Sequence, residues 1–177
     1  MENKNLAQKV YQASYLRGNF KLRSGKTSEE YFDKYRFESD PKLLAEIVEQ
    51  LKHKIPVGTE VLAGLEMGGI PIATALSLAT GLPAIFVRKK RKDYGTCKVA
   101  EGCDFKGRKV CIVEDVVTTG GQAILSAKDL RDEGAVLTDL LCVIQRDQEA
   151  TGLLKEQGLN LFSLLTMEQL KASSGQS

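Results

Sequence analysis

The stretch Val110-Cys111-Ile112-Val113-Glu114-Asp115-Val116-Val117-Thr118-Thr119-Gly120-Gly121-Gln122 constrains this chain more than any other. Its apolar run from Val110 to Val113 suits a parallel strand buried on both faces, and Ala123-Ile124-Leu125-Ser126-Ala127 suits a helix starting just beyond the loop. The small-residue loop therefore falls at a helix N-terminus. Free backbone N–H groups, room for close approach and two Thr hydroxyls make that point a place for a phosphate. Glu114 and Asp115 cannot hold the same anion directly; they call for hydroxyls or a metal-bearing group. The implied ligand carries a phosphate at one end and sugar hydroxyls or a metal-bound phosphate at the other. A turn built for geometry alone, with an acid pair capping a strand, is the alternative reading of the same residues. Neither a Lys after the glycines, as in a P-loop, nor a G-x-G-x-x-G is present.

Around this stretch the chain alternates between strand and helix patterns. Strands are expected at Glu60–Gly64, Pro83–Val87, Lys109–Val113, Val136–Ile144 and Leu159–Leu165, and helices at Pro71–Ala79, Gln122–Glu133 and Thr151–Gln157. Five strands, most of them joined by helices, predict an α/β fold with a mostly parallel five-stranded sheet flanked by helices. Ahead of them, Asp40-Pro41 starts a helix whose buried stripe is Leu43, Leu44, Ile47, Val48 and Leu51. The N-terminal stretch to Gly18 has helical spacing, with Gly18 as its terminator, and Phe20 to Ser28 alternates into a turn. At 177 residues the expectation is one domain, 1–177, with an arm or hood at 1–40 and the α/β core at 41–177.

Composition removes several classes of function. There is no apolar run of membrane-spanning length and no signal-peptide core, so a cytoplasmic protein is expected. Cys97, Cys103, Cys111 and Cys142 form no C-x-x-C pair, and His53 is the one histidine, which leaves neither a zinc site nor a His-based nucleophile. The net charge of +2 is too small to indicate a nucleic-acid surface. Positive charge is instead concentrated in Arg88-Lys89-Lys90-Arg91-Lys92.

Ligands of open α/β sheets bind beyond the carboxyl ends of the strands. Those ends carry Glu66-Met67-Gly68-Gly69, Arg88-Lys89, Glu114-Asp115 with its loop, and Arg146. Taken singly, the basic loop could be solvated surface, Phe20–Ser28 a surface hairpin and Arg146 an exposed ion-pair partner.

The apolar run, acid pair, Thr-Thr-Gly-Gly and helix resemble the phosphoribosyl pyrophosphate (PRPP) signature of the type I phosphoribosyltransferases. Three further segments are similar to those of the orotate phosphoribosyltransferases within that family. They are F-x-L-x-S-G-x-x-S at Phe20–Ser28, R-K-x-x-K-x-H/Y-G at Arg88–Gly95, and the Arg at the end of the fourth strand. The resemblance spans Gly18 to Arg146 and implies the type I fold with a small N-terminal hood.

By that resemblance Glu114 and Asp115 hold the ribose hydroxyls, and Val116, Val117, Thr118, Thr119, Gly120, Gly121 and Gln122 hold the 5′-phosphate. Gly68 and Gly69 meet the pyrophosphate through backbone N–H groups, where some members have a Lys at the position of Gly68. Arg23 stands where Lys is common and joins the PRPP site. Arg88, Lys89, Lys92 and Tyr94 are the catalytic loop; Tyr94 suits hydrogen bonding better than acid catalysis. Arg146, Thr118 and Phe20 bind orotate, the guanidinium presenting a planar fork to its carboxylate.

The resemblance further implies Mg²⁺ bound through PRPP, pyrophosphate and waters with no direct protein ligand, and a homodimer in which the basic loop of one subunit serves the other. The activity implied is transfer of phosphoribose from PRPP to orotate, with no nucleic-acid or membrane partner. A phosphoribosyltransferase for another base and a PRPP-sensing regulator are the two rivals.

Overall fold

The computed structural model describes residues 2–21, 25–90 and 98–174. Helix α1 (Glu2–Ser14) leads into an antiparallel hairpin, β1 (Tyr15–Lys21) and β2 (Thr27–Phe32). The short helix α2 (Tyr35–Ser39) and then α3 (Pro41–Leu51) connect the hairpin to the main sheet. Alternation follows through β3 (Val61–Leu65), α4 (Gly69–Thr80), β4 (Ala84–Val87), β5 (Ala100–Gly102), β6 (Lys109–Val117), α5 (Gly121–Asp132), β7 (Val136–Gln145), α6 (Ala150–Glu156), β8 (Asn160–Thr166) and α7 (Met167–Ser173).

The expected parallel strands are present, in the order β4-β3-β6-β7-β8, but among the described residues the sheet has six strands rather than five. The sixth, β5, pairs antiparallel to β4 at the edge, Glu101 opposite Phe86. At three residues it is too short to show a period in the sequence. The N-terminal helix also ends earlier than expected, at Ser14, and Gly18 lies inside β1. Cross-strand pairing decides this, since Tyr15, Leu16 and Arg17 align with Phe32, Tyr31 and Glu30, while Tyr11 and Tyr15 stack at the junction, 4.6 Å between ring centroids.

Two apolar layers sandwich the sheet. On one side Leu6, Val10, Phe37, Ile47, Leu51 and Leu76 pack over Leu62, Cys111 and Val113. On the other Ala127, Leu130 and Leu154 pack over Val110, Ile112 and Leu140. The alternation along β6 thus sends 111 and 113 to one face and 110 and 112 to the other. Removing a side chain such as Leu76 or Leu130 from these layers would cost about 2–5 kcal/mol.

Helix α3 begins as the sequence requires. The Asp40 carboxylate accepts from the backbone N–H of Lys42 and Leu43, with Pro41 in the first turn. At the N-terminus of α4 the backbone must come very close to the sheet. A Cβ at Gly64 would lie 2.8 Å from the Gly69 carbonyl oxygen, and one at Gly69 would overlap the Val113 carbonyl oxygen. These glycines let α4 start directly against β3 and β6, at the end of the sheet where β6 carries its acids.

Candidate active site

Strand β6 runs further than its apolar pattern indicates. The expected end was Val113, but Glu114, Val116 and Val117 still pair with Cys142, Ile144 and Gln145 of β7. Pairing with β3 stops at Gly64–Val113, so the acid pair is supported on one side and open on the other. Neighbouring strand residues start toward opposite faces, but the two carboxyl groups stay within reach of each other, and Asp115 N–H donates to Glu114 Oε2 at 3.3 Å. Glu114 lines a cleft of roughly 170 Å³ with Val116 to Ala123, whereas Asp115 turns toward Gly68 and α2.

Within that cleft Thr118 and Thr119 are exposed, and Gly120 adopts a left-handed conformation at φ 80° before α5 begins at Gly121. A Cβ at Gly120 would sit 2.8 Å from a Leu154 methyl, so both the turn and the packing of α6 require glycine there. The Gly120 carbonyl accepts from Ile124 N–H, leaving the earlier N–H groups of the helix directed at the cleft. Gln122 is held by a hydrogen bond from its Nε2 to Ser126 Oγ at 3.3 Å.

Asp115 is fully buried. Its Oδ1 accepts from Val116 N–H at 2.6 Å, while Oδ2 meets the Lys34 ammonium at 2.5 Å. Glu38 Oε1 and Asp115 Oδ2 both point into the space over Gly68, and a side chain at 68 would collide with them. Burial first, and then contact with the Asp115 carboxylate, push the Glu38 carboxyl up to about 9. Glu114 is pushed up to about 8 by burial and by the charge of Asp115. At Lys34 burial works against the ammonium, but the hydrogen bond and charge of Asp115 outweigh it and the net direction is upward.

Residues 35–154 match the phosphoribosyl transferase domain family. The chain is 46% identical over 168 residues to an orotate phosphoribosyltransferase of Nocardioides sp., covering 95% of this chain and 94% of that one. It is 41% identical over 153 residues to the orotate phosphoribosyltransferase of Methanocella arvoryzae, with 86% and 87% covered. This chain belongs to the orotate phosphoribosyltransferase family. Solved members superpose closely. The Mycobacterium tuberculosis enzyme in complex with PRPP gives a TM-score of 0.82 at 28% identity, covering 96% of this chain and 99% of that one. The Aeropyrum pernix enzyme gives 0.83 at 32% identity, covering 100% and 99%.

Gly68, Gly69, Arg88, the acid pair with its loop and Arg146 lie at the carboxyl ends of the parallel strands. Arg146 leaves β7 beside the phosphate loop, its backbone N–H donating to Val117 O at 2.8 Å, and its side chain is exposed. Gly68 is the N-cap of α4 and lies opposite Asp115, and Gly69 begins the helix against the Val113 carbonyl. Arg88 follows β4 and approaches Glu101 of β5, Nε to Oε1 3.7 Å, with Lys89 exposed next to it. Phe20 is on β1, stacked on Tyr31 with 5.4 Å between centroids. Arg23, Lys92 and Tyr94 lie outside the described residues.

Sequence reading missed Lys34 and Glu38. They sit at the end of the hairpin and on a five-residue helix with no amphipathic period to reveal it. One signal was available: charged residues flanking Phe37 in a segment that leads straight into the α3 cap.

Proposed function

We propose that this chain transfers the 5-phosphoribosyl group of PRPP to orotate, releasing pyrophosphate and forming orotidine 5′-monophosphate on the way to UMP. One observation carries the reading. The Arg146 N–H bonds to Val117 O, so a carboxylate-binding guanidinium starts from the same strand pair that ends in the acid pair and phosphate loop. A sugar phosphate seated on that loop has its ring near Glu114 and Asp115, and a base bearing a carboxylate has its partner alongside.

The bond that breaks joins C1 of the ribose to the pyrophosphate oxygen, and the bond that forms joins C1 to the orotate ring nitrogen. That nitrogen is acidic enough to react as an anion, so no protein base is needed. The work of the chain is to hold the ribose through Glu114 and Asp115, the 5′-phosphate through the N–H groups and hydroxyls of 118–122, and the leaving group through Gly68 and Gly69 N–H with Arg88, Lys89, Lys92 and Arg23. Tyr94 adds a hydrogen-bond donor, and Phe20 and Thr118 border the base.

Carboxylate and hydroxyl oxygens are hard donors that suit hydrated Mg²⁺. Bound together with PRPP, Mg²⁺ would neutralise charge on the diphosphate while Glu114 and Asp115 hold the ribose. We also propose a homodimer in which the basic loop of one subunit serves the other; Leu78, 85% exposed on α4, is an apolar side chain that a subunit interface would cover. Among the described residues no helix is long and apolar enough to cross a membrane, and we place the enzyme in the cytoplasm. The testing measurement is PRPP-dependent loss of orotate absorbance by the purified protein. Turnover of adenine or hypoxanthine in place of orotate would overturn the substrate assignment.

A further inference from the structure

Lys34 belongs to the N-terminal arm and stands at the start of α2, tied in place by its neighbours. Asp33 N–H donates to Ser14 O at 2.8 Å, and Tyr35 N–H to Asp33 Oδ1 at 3.2 Å. From there its ammonium reaches Asp115 of the core and lies 5.2 Å from the centre of the Tyr35 ring. The two partners differ sharply in exposure: the Asp115 side chain is 1% exposed and that of Lys34 35%. Oδ2 of Asp115 has no hydrogen-bond donor of good geometry among the described residues. The acid thus has two neighbours, the Glu38 carboxyl, which is buried beside it, and the Lys34 ammonium, which reaches it from the solvent side and is the exchangeable one.

The surroundings make the exchange consequential. Glu38, Glu114 and Asp115 all act electrostatically on Lys34, so three carboxyl groups share one nearby ammonium. A ligand bringing hydroxyl groups to Asp115 must displace that ammonium, since both need the same oxygen. If the ligand also carries a diphosphate, the displaced ammonium has a stronger partner at hand, because a charged phosphate oxygen attracts it at least as well as one carboxylate. Position 68 cannot supply a cation of its own from beside Asp115, because any side chain there would overlap Asp115 and Glu38.

We propose that Lys34 is a substrate-positioning residue that rests on Asp115 in the free protein and passes to the diphosphate of the incoming sugar substrate when the ribose hydroxyls take over that carboxylate. The inference rests on the PRPP reading of the site above. It makes the arm part of the diphosphate site, and it couples occupation of the ribose subsite to delivery of a positive charge.

The test uses the full chain, Mg²⁺ and PRPP, with affinity read by calorimetry and both reaction directions read by absorbance. In Lys34→Met the PRPP dissociation constant and the pyrophosphate KM of the reverse reaction should rise at least tenfold, the orotate KM should stay within twofold, and Lys34→Arg should recover most of the loss. Lys34→Gln replaces the Met variant if that fails to fold. Tighter PRPP binding by the variant would mean that Lys34 only blocks Asp115, and it would overturn the handover. Unchanged binding, or an equal rise in both substrate constants, would overturn it too. Wild-type protein that binds PRPP without turning over orotate overturns the substrate assignment alone, and the variant's PRPP affinity still decides on Lys34. Wild-type protein that binds no PRPP overturns both.

Discussion

The Asp115 carboxylate occupies the space that any side chain at Gly68 would need, with Glu38 Oε1 at 2.9 Å from the same point. The loop before α4 and the acid of β6 are therefore fitted to each other through the absence of one carbon. Gly68→Ala should force Asp115 out of its present position, raising the PRPP KM about tenfold and costing about 1–3 kcal/mol of stability from overpacking. Steady-state kinetics with a denaturation curve checks both, and an unchanged PRPP KM would show that the acid can move aside freely.

Glu38 gives stability a pH dependence whose sign follows from its raised pKa. From its ordinary value of 4.5 up to about 9, the native carboxyl keeps a proton that the unfolded chain has lost. The native state then binds more protons than the unfolded one, so this group lowers stability as pH rises through that window and contributes no slope below it. Glu38→Gln keeps a neutral side chain at every pH. Its melting temperature should fall less between pH 5.5 and 8.5 than that of the wild type; parallel profiles would mean that Glu38 is ionised throughout. Glu114, raised to about 8, leaves a residual slope of the same sign.

Arg146→Ala tests recognition of the base. The guanidinium makes no ion pair among the described residues, so its loss should leave folding stability within about 0.5 kcal/mol. The orotate KM should rise at least tenfold with the PRPP KM nearly unchanged. An equal rise in both would remove the carboxylate role.

Gly120 combines a left-handed backbone with contact against Leu154. Gly120→Ala meets both obstacles and should destabilise the protein by about 1–3 kcal/mol while weakening binding of the 5′-phosphate. Urea denaturation and the PRPP KM measure the two effects. A wild-type midpoint would show that α6 yields without cost.

Much of this was legible in the chain, because the signals are local. Val110–Val113 and the small residues after Asp115 announce a strand, an acid pair and a helix start, and Asp40-Pro41 announces α3. These depend on period, capping and backbone freedom within a few residues. The edge strand β5 and the early end of α1 were not legible, since both arise from pairing with partners elsewhere in the chain.

The same division runs through the site. Sequence alone determined that Glu114, Asp115 and the 118–122 loop stand at the end of a buried strand, because hydrophobic period and small residues specify that without reference to the rest of the molecule. Only the tertiary structure decided that β3 stops short and leaves the acid pair without a strand partner on that side, and that Lys34 and Glu38 arrive from the arm to meet the buried Asp115. A charge pair between residues 34 and 115 has no local signature. It exists because the start of α2 comes to the carboxyl end of β6 and brings a cation to a carboxylate that would otherwise be buried without one.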